Sequence, residues 1–438
     1  DDKTTCLIYS RRCSRIQGKL TKERRKNIIM PVVFTSTLGL AKENDTTVKR
    51  NIQYKISQTP QVYIDCQVTD ENRGAKINWD VREGVFDANV IMDMFDTFSN
   101  LILNINEDNT VIFNKKQPLV LPKKMIEMRN KANSCKSNYN MQMLEEGFIN
   151  ALRKYPNKTA LITHNGEYTY EKLSEYVKTV MLVLNKKGIK PEDKVGINFD
   201  KSEWQIASVI AILLLKATYV PIDINQPQIR KRKIIISANI KVLLSEYDEV
   251  EFLDYCECVN VNTLTRSNVP LEQIKIESDY DRPAYIIFTS GTTGEPKGVI
   301  ITHRAAMNTI LDVNDRYHIK EEDVFLGLAN LSFDLSVYDV FGCFLAGGTL
   351  VLPDSNRVKD PKYLYDLILL KRISVLNGVP AQMQMLANYI ETVEGIRKSE
   401  YIRLIIMSGD WIPVNLPKRL YMLFPRALVV SKGGATEA

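Results

Sequence analysis

Residues 285–298 read Tyr-Ile-Ile-Phe-Thr-Ser-Gly-Thr-Thr-Gly-Glu-Pro-Lys-Gly, an apolar run that leads directly into hydroxyl side chains, three glycines and a lysine. The glycines let backbone N–H groups turn toward an anion. Lys297 adds a positive charge, and the hydroxyls add donors; they belong to Thr289, Ser290, Thr292 and Thr293. This order predicts a phosphate-binding loop after a strand. It is not a Walker A loop, because Lys297 is followed by Gly298 and not by Ser or Thr.

A flexible loop without a ligand would also contain Gly, Ser and Thr. The chain has only 20 glycines in 438 residues, so their crowding at 291, 294 and 298 is informative. At about 150 residues per domain, this length suggests three domains. With 45% hydrophobic and 25% charged residues, the composition is that of a globular protein with sizeable cores, which excludes wholesale disorder and collagen-like repeats.

The charge balance of 58 basic against 52 acidic residues gives a net charge of +6, which indicates a mixed surface. Residues 1–27 are basic and polar, and two interpretations stay open for them: a solvated segment or a nucleic-acid tail. Tyr9 is the only aromatic residue there that could stack on a base, so we expect a solvated segment and no nucleic-acid partner.

The seven cysteines are spread along the chain without a Cys-x-x-Cys pair, which favours a reducing, cytoplasmic compartment. The most apolar run, Ile206 to Leu215, is far shorter than the roughly 20 residues of a membrane span, so we expect no membrane partner. There is no signal-like start. Because the first residue is Asp1 and not Met, we expect the chain to begin within a longer protein.

Apolar patterning divides the chain into three parts. Residues 1–105 contain strand-like runs and a helix from about Ala88 to Leu103; the runs are 28–36, 54–57, 62–68 and 76–79. Residues 106–143 are rich in Asn and Lys and are predicted to be a linker with one short helix. From Leu144 to the end, helices (144–155, 173–184) alternate with strands at 160–163, 195–199, 219–222, 242–245 and 285–288. This alternation predicts an α/β fold with a mostly parallel sheet covered on both faces.

Five segments in order resemble the motifs of adenylate-forming enzymes, the superfamily of acyl-CoA synthetases, luciferases and peptide-synthetase adenylation domains. They are the loop at 289–298, Tyr168–Leu173, Leu215–Asp223, Phe333–Ser336 and Gly433–Glu437. Lys216 and Ala217 stand where the superfamily usually has glycine. The resemblance implies the N-terminal core of such an enzyme, with two helix-flanked sheets and a small β-barrel.

The resemblance also implies an ATP site. Its residues would be Thr289, Ser290, Gly291, Thr292, Thr293, Gly294, Lys297, Gly433, Gly434 and Ala435. Thr436 would contact the α-phosphate, and the Glu437 carboxylate would hold Mg²⁺, a cation that prefers such hard oxygen ligands. His303 could be a general base, but adenylation needs no strong base, and we expect it to be structural or substrate-gating.

Within the superfamily, the chain is most similar to amino-acid adenylation domains of nonribosomal peptide synthetases. Asp334 would pair with the α-ammonium of the substrate, a contact that an acyl or aryl acid could not use. The implied pocket is Asp334, Leu335, Tyr338, Asn377, Ile406, Ser408 and Lys432. The first four of these residues, together with Ser408, resemble pockets that select cysteine, whereas Lys432 stands where an apolar residue is usual. Ordinary core packing is the alternative for Leu335, Tyr338 and Ile406.

The first block resembles the C-terminal lobe of a heterocyclization domain, a condensation variant with a chloramphenicol-acetyltransferase-like α/β fold. The matching segments are 31–36, 58–68 and 78–80. Thr35 and Asp65 match the residues that this family uses for cyclodehydration, in which a hydroxyl and a carboxylate shuttle protons.

The resemblance therefore implies a piece of a modular peptide synthetase, made of a partial heterocyclization domain (1–105), a linker (106–143) and the large adenylation subdomain (144–438). Its partners would be the amino acid, a carrier domain with phosphopantetheine, and the rest of the synthetase, of the kind that makes siderophores and other secondary metabolites. We expect the small C-terminal subdomain to follow Ala438 and the 438 residues alone to turn over little. The alternatives are a serine- or threonine-activating module and a stand-alone acyl- or aryl-acid ligase.

Overall fold

A computed structural model describes residues 31–36, 38, 62–71, 74–107, 121–134, 139–267, 271, 274, 276–290, 295–393, 395 and 399–436. The chain divides into two compact units, Asp1–Lys136 and Ser137–Ala438. The division falls inside the segment 106–143 that the composition marks as a linker. The strand expected at 54–57 lies outside the described residues.

The described residues of the first unit form a three-stranded sheet in the order β1-β2-β3 and two helices. Its elements are β1 (Val32–Ser36), β2 (Ile64–Glu71), β3 (Gly74–Val81), α1 (Ala88–Glu107) and α2 (Lys123–Asn133). Strand β1 is parallel to β2, and β2 is antiparallel to β3. Helix α1 packs on β3 because the Trp79 ring lies 5.3 Å from the Phe95 ring and 5.4 Å from the Phe98 ring. Helix α2 is the short helix expected in the linker.

In the described part of the second unit there are two sheets, whose strands are parallel except at one edge of each. The six-stranded sheet has the order β11-β10-β7-β6-β8-β9. Its strands are β6 (Lys194–Asn198), β7 (Thr218–Pro221), β8 (Ile240–Ser245), β9 (Glu257–Asn260), β10 (Pro283–Ser290) and β11 (Pro296–Thr302). Only β10 and β11 pair antiparallel in it, as a hairpin.

The seven-stranded sheet has the order β16-β15-β14-β12-β13-β4-β5, and only β4 and β5 pair antiparallel in it. Its strands are β4 (Thr159–Thr163), β5 (Gly166–Thr169), β12 (Val324–Gly327), β13 (Thr349–Val351), β14 (Val375–Gly378), β15 (Leu404–Met407) and β16 (Leu428–Ser431). Every strand that the apolar pattern predicted between 160 and 288 is present within about two residues.

Helices cover these sheets, and several begin at side-chain caps. They are α3 (Glu146–Lys154), α4 (Tyr170–Lys186), α5 (Glu203–Leu214), α6 (Gln228–Ala238), α7 (His303–Arg316), α8 (Leu335–Val337), α9 (Cys343–Ala346), α10 (Pro361–Leu370), α11 (Pro380–Thr392) and α12 (Leu416–Leu423). Ser202 accepts the Gln205 N–H at the start of α5, and Thr302 accepts the Ala305 N–H at the start of α7. Such caps satisfy N–H groups that a helix leaves unpaired at its start.

Alternation along the strands explains the layers of the second unit. Phe325 and Val375 join a core with helices α4 and α5 and with Val195 of the other sheet, while their neighbours Leu326 and Leu376 join a second core with α10, α11 and α12. Successive side chains of a strand point to opposite faces, so each parallel sheet is apolar on both. The α/β class expected from the sequence is confirmed.

Two finer expectations can be compared with the described residues. The sheets they form are all open, with an edge strand on either side, so the small β-barrel expected from the resemblance is not among them. In the same part of the chain, no helix combines the length and the apolar character that crossing a membrane requires.

Candidate functional site

The predicted phosphate loop joins the two strands of the β10–β11 hairpin. Thr289 is paired with Lys297 and Ser290 with Pro296, so the strands hold both ends of the loop together. Thr289 is half-buried and Lys297 is exposed. The loop residues Gly291, Thr292, Thr293 and Gly294 lie outside the described residues. The sequence suggested a loop directly after a strand, and the structure adds that a second strand follows it.

The second half of the predicted nucleotide site follows strand β16. Gly433, Gly434 and Ala435 are exposed there. The Thr436 hydroxyl donates a hydrogen bond of 2.9 Å to Oδ2 of Asp334. This contact brings together the residue expected at the α-phosphate and the residue expected at the substrate ammonium. Glu437, the expected magnesium ligand, lies outside the described residues.

The predicted substrate pocket gathers at the carboxyl ends of β14, β15 and β16. Asn377 is paired with Ile406, and Ile406 with Val430. Because strand side chains alternate, Ser408 and Lys432, each two residues further on, continue the same face. The Ser408 N–H donates to Gly378 O at 3.2 Å and the Lys432 N–H to Met407 O at 2.9 Å, which extends the pairing beyond the strands. Ligands commonly bind at this end of parallel strands.

Tyr338 lies on a broken helix that faces this sheet. The segment runs through α8, a wider π-helical turn (Tyr338–Gly342) and α9. The Tyr338 hydroxyl donates to Oδ1 of Asn314 on α7 at 3.1 Å, and Nζ of Lys432 lies 5.7 Å from the centre of the ring. A Cβ added at Gly342 would lie 2.7 Å from Cε2 of Tyr338, so glycine leaves the room that the ring occupies.

Burial and nearby charges set the electrostatics of the pocket. Burial lowers the pKa of Lys432, and the carboxylates of Asp312 and Asp334 oppose that shift. Burial, together with the charge of Asp334, raises the pKa of Tyr285 on β10. The carboxylate of Asp334 is therefore close enough to act on groups from both sheets of the unit.

Two buried ionisable residues near the pocket, Asp339 and Lys201, were missed by reading the sequence. Nδ2 of Asn377 donates to Oδ1 of Asp339 at 2.9 Å, and Nζ of Lys201 donates to the carbonyls of Gly327 and Ala329. Burial raises the pKa of Asp339 to about 7 and lowers the pKa of Lys201 to about 8, while each charge favours the other. One signal was available: Asp339 is a lone carboxylate between apolar residues, and such residues rarely become buried without a partner.

His303 is fully buried at the base of the β10–β11 hairpin. Its Nδ1 accepts the Leu144 N–H at 3.2 Å and lies 3.5 Å from Oε2 of Glu145, while Nε2 lies 3.3 Å from Nη2 of Arg282. Burial and the charge of Arg282 lower the pKa of His303 to about 3, whereas burial raises the pKa of Glu145 to about 7. This environment matches a structural histidine.

In the first unit, the structure brings Thr35 and Asp65 together. The Thr35 hydroxyl donates to Oδ1 of Asp65 at 3.4 Å. Nε2 of Gln67 donates to Oδ2 of Asp65 at 2.9 Å and to Oδ2 of Asp80 at 3.3 Å. Asp65 lies within strand β2, opposite Asp80 of β3. Gln67 and Asp80 complete a polar cluster that the sequence did not single out.

The fold and both halves of the nucleotide site can now be compared with known proteins. Residues 148–438 match the family described as AMP-binding enzyme. The chain belongs to this family of AMP-binding enzymes.

The relatives identify the kind of AMP-binding domain. The chain is 38% identical to pyochelin synthetase PchF of Pseudomonas aeruginosa over 94% of its length and 22% of that protein. It is 36% identical to bacitracin synthase 1 of Bacillus licheniformis over 94% of its length and 8% of that protein, and 32% identical to phenyloxazoline synthase MbtB of Mycobacterium tuberculosis over 95% and 29%. The chain thus spans less than a third of these curated relatives.

Solved structures agree. The nonribosomal peptide synthetase FmoA3 is 31% identical, with a TM-score of 0.80 over 93% of this chain and 44% of that one. Its form with bound AMPPNP gives a TM-score of 0.78 at 30% identity. The second unit is an AMP-binding domain of the type that nonribosomal peptide synthetases contain. The resemblance stated from the motifs is confirmed at this level.

Proposed function

We propose that the chain is part of a nonribosomal peptide synthetase and that its second unit activates an amino acid as aminoacyl-AMP with ATP. The observation that carries this proposal is the hydrogen bond between Thr436 and Asp334. A carboxylate for the substrate ammonium lies beside a hydroxyl for the α-phosphate. An amino acid bound through its ammonium at Asp334 would have its own carboxylate next to the phosphorus that it must attack.

Each part of the site has a proposed role in the adenylation reaction. One oxygen of the substrate carboxylate forms a bond to the α-phosphorus of ATP, and the bond from that phosphorus to the β-phosphate oxygen breaks, releasing pyrophosphate. Donors of the β10–β11 hairpin, with Lys297, would hold the departing phosphates. Mg²⁺ would neutralise phosphate charge; its proposed ligand is Glu437. Asp334 would orient the amino acid, since holding reactants in place is a large part of catalysis.

Cysteine is the proposed substrate. The predicted pocket carries polar side chains at Ser408, Asn377 and Lys432, and Nζ of Lys432 lies 5.7 Å from the centre of the Tyr338 ring. Oγ of Ser408 has no hydrogen-bond partner among the described residues. This favours a substrate side chain that can form a hydrogen bond with it. Serine is the second candidate, because FmoA3 was solved with α-methyl-L-serine-AMP bound and is 30% identical in that form.

The aminoacyl group would then pass to the phosphopantetheine thiol of a carrier domain. That thiol attacks the carbonyl carbon, and AMP leaves. In the first unit, Thr35 and Asp65 are the proposed proton-shuttling pair for cyclodehydration to a thiazoline. Their hydrogen bond and the Gln67 amide that orients the carboxylate support this role.

ATP/pyrophosphate exchange by the full-length protein, with one amino acid at a time, tests the proposal. We expect exchange with cysteine to exceed exchange with aliphatic amino acids, and no exchange with fatty or aryl acids. Equal exchange with all amino acids, or exchange only with acids that lack an ammonium, would contradict the proposed function.

Asp334→Asn sharpens this test. Removing the charge should raise KM for the amino acid by roughly 10- to 100-fold, since a hydrogen bond to a charged group contributes about 1.5–3 kcal/mol. The matched control is Asp248→Asn, an exposed carboxylate that accepts an amide N–H of Asn260 at 3.0 Å, which should leave KM unchanged.

A further inference from the structure

The amide of Asn377 has one allowed orientation. The side chain is buried, and its Nδ2 donates to Oδ1 of Asp339 at 2.9 Å and to Leu335 O at 3.1 Å. Both partners are acceptors, so a flipped amide would set its oxygen against two other oxygens. The hydrogen-bond network therefore assigns the NH₂ group to this side.

The opposite side of the amide carries the acceptor Oδ1, which receives no hydrogen bond from the described residues. Asn377 shares its sheet face with Ile406 and Ser408, and Oγ of Ser408 also lacks a partner in that part of the chain. A polar group buried without a partner costs about 1–3 kcal/mol. An unbonded amide acceptor and an unbonded hydroxyl on one face of a predicted pocket, of which Oγ of Ser408 is fully buried, point to a ligand that satisfies them.

The Asp339 carboxylate fixes this orientation because its Oδ1 accepts from Nδ2 of Asn377, whereas an amide in its place could also donate. Lys201 supplies the compensating charge: its buried Nζ donates to the carbonyls of Gly327 and Ala329. The Lys201 charge and the Asn377 N–H both favour the ionised form of Asp339 against the cost of burial. Gly327 is itself the strand partner of Asn377, so Nζ of Lys201 contacts the strand next to the one that carries the amide.

We propose that Lys201 and Asp339 are positioning residues that hold the oxygen of the Asn377 amide toward the substrate side chain, so that the pocket selects an amino acid with a thiol or hydroxyl donor. This inference rests on the proposed function and adds the reason for its selectivity. A methyl group in place of the donor would leave Oδ1 of Asn377 unpaired. Sites built to bond a donor reject analogues that lack it far more strongly than apolar sites reject a missing methylene.

The first experiment compares substrates with the full-length protein. L-2-Aminobutyrate has nearly the size of cysteine and serine but carries a methyl group instead of the donor. In pyrophosphate exchange we expect kcat/KM for the better of cysteine and serine to exceed that for 2-aminobutyrate by roughly 100-fold or more. Comparable values overturn this inference and leave amino-acid activation standing. Exchange with no amino acid overturns the proposed function and this inference with it.

The second experiment separates positioning from simple stability. Asp339→Asn should lower the preference over 2-aminobutyrate about tenfold, because the new amide lets Asn377 flip. The double variant Lys201→Met with Asp339→Asn removes both buried charges. We expect its melting temperature to rise above that of Asp339→Asn alone while the preference stays low. A wild-type preference in either variant contradicts the proposal. The matched control is Asp248→Asn, which should keep the wild-type preference over 2-aminobutyrate.

Discussion

At the scale of single residues, the pocket depends on one close approach. Tyr338 occupies the space that a Cβ at position 342 would need, and its hydroxyl is tied to Asn314. The glycine is required by packing there, since its backbone lies in an ordinary helical conformation with φ −64°. The sequence identified Tyr338 through the resemblance but had no means of pairing it with Gly342.

Gly342→Ala should therefore move the Tyr338 ring. Overpacking of this kind costs about 1–3 kcal/mol, and the displaced ring should also raise KM for the amino acid. Urea unfolding and pyrophosphate exchange measure the two effects. Combining Gly342→Ala with Tyr338→Leu, which shortens the obstructing side chain, should cost less than the sum of the single changes. Strict additivity would show that the two residues do not conflict.

At the scale of elements, the β10–β11 hairpin carries the phosphate loop at one end and a buried cluster at the other. Arg282 precedes β10, His303 follows β11, and Glu145 comes from the segment that leads into α3. Nη2 of Arg282 lies 3.3 Å from Oε1 of Glu145. The cluster thus ties the base of the hairpin to the start of the second unit.

The cluster should show two opposite pH dependences of stability. Between pH 4.5 and 7 the folded chain keeps a proton on Glu145 that the unfolded chain releases, so the stability contributed by Glu145 falls as pH rises. Between pH 3 and 6.5 the unfolded chain binds a proton on His303 that the folded chain does not, so the contribution of His303 rises with pH. From pH 4.5 to 6.5 the two slopes oppose each other.

In the Glu145→Gln variant, the pH dependence of stability that His303 contributes should no longer be opposed by Glu145. Urea unfolding from pH 4 to 8 should show the stability of the wild type, relative to this variant, falling by about 3 kcal/mol between pH 4.5 and 7.5. The stability of the wild type relative to His303→Asn should instead rise as pH rises. Glu400→Gln, at an exposed ion pair with Arg426, is the control with no such slope. A pH-independent difference for Glu145→Gln would contradict the assignment.

At the scale of the whole molecule, the second unit has its own cores. Among the described residues, the three apolar clusters that surround its sheets are formed by residues between Met141 and Val430. Leu144, Phe148 and Leu152 of the α3 region are buried in the largest of them. The second unit, including the residues that precede α3, should therefore be stable without the first unit.

Truncation tests this. A chain that begins at residue 137 should fold cooperatively, as near-UV circular dichroism and urea unfolding would show. A chain that begins at residue 156 should not, because loss of one large buried side chain alone costs about 3–5 kcal/mol and several would be missing. Cooperative folding of the shorter chain, or none of the longer, would contradict the division.

Reading the sequence anticipated much of the fold because its signals are local. Apolar runs such as Val195–Phe199 and Val242–Ser245 are strands, and the helix expected from Ala88 is present. The break at Tyr338–Gly342 was not anticipated, since its apolar residues suit an unbroken helix equally well. Thr35 and Asp65 were named through the resemblance, whereas Gln67 and Asp80 join them only through the pairing of β2 with β3.

By itself, the sequence determined the α/β class, the strand order along the chain and the motifs of an AMP-binding domain, since alternation, caps and glycine placement act between near neighbours. Only the tertiary structure decided which distant groups meet. It set Thr436 against Asp334, Asp339 against the amide of Asn377, and Lys201 against the carbonyl of Gly327. These contacts arise where strand ends far apart in the chain converge, and their free energy depends on burial that no short segment creates.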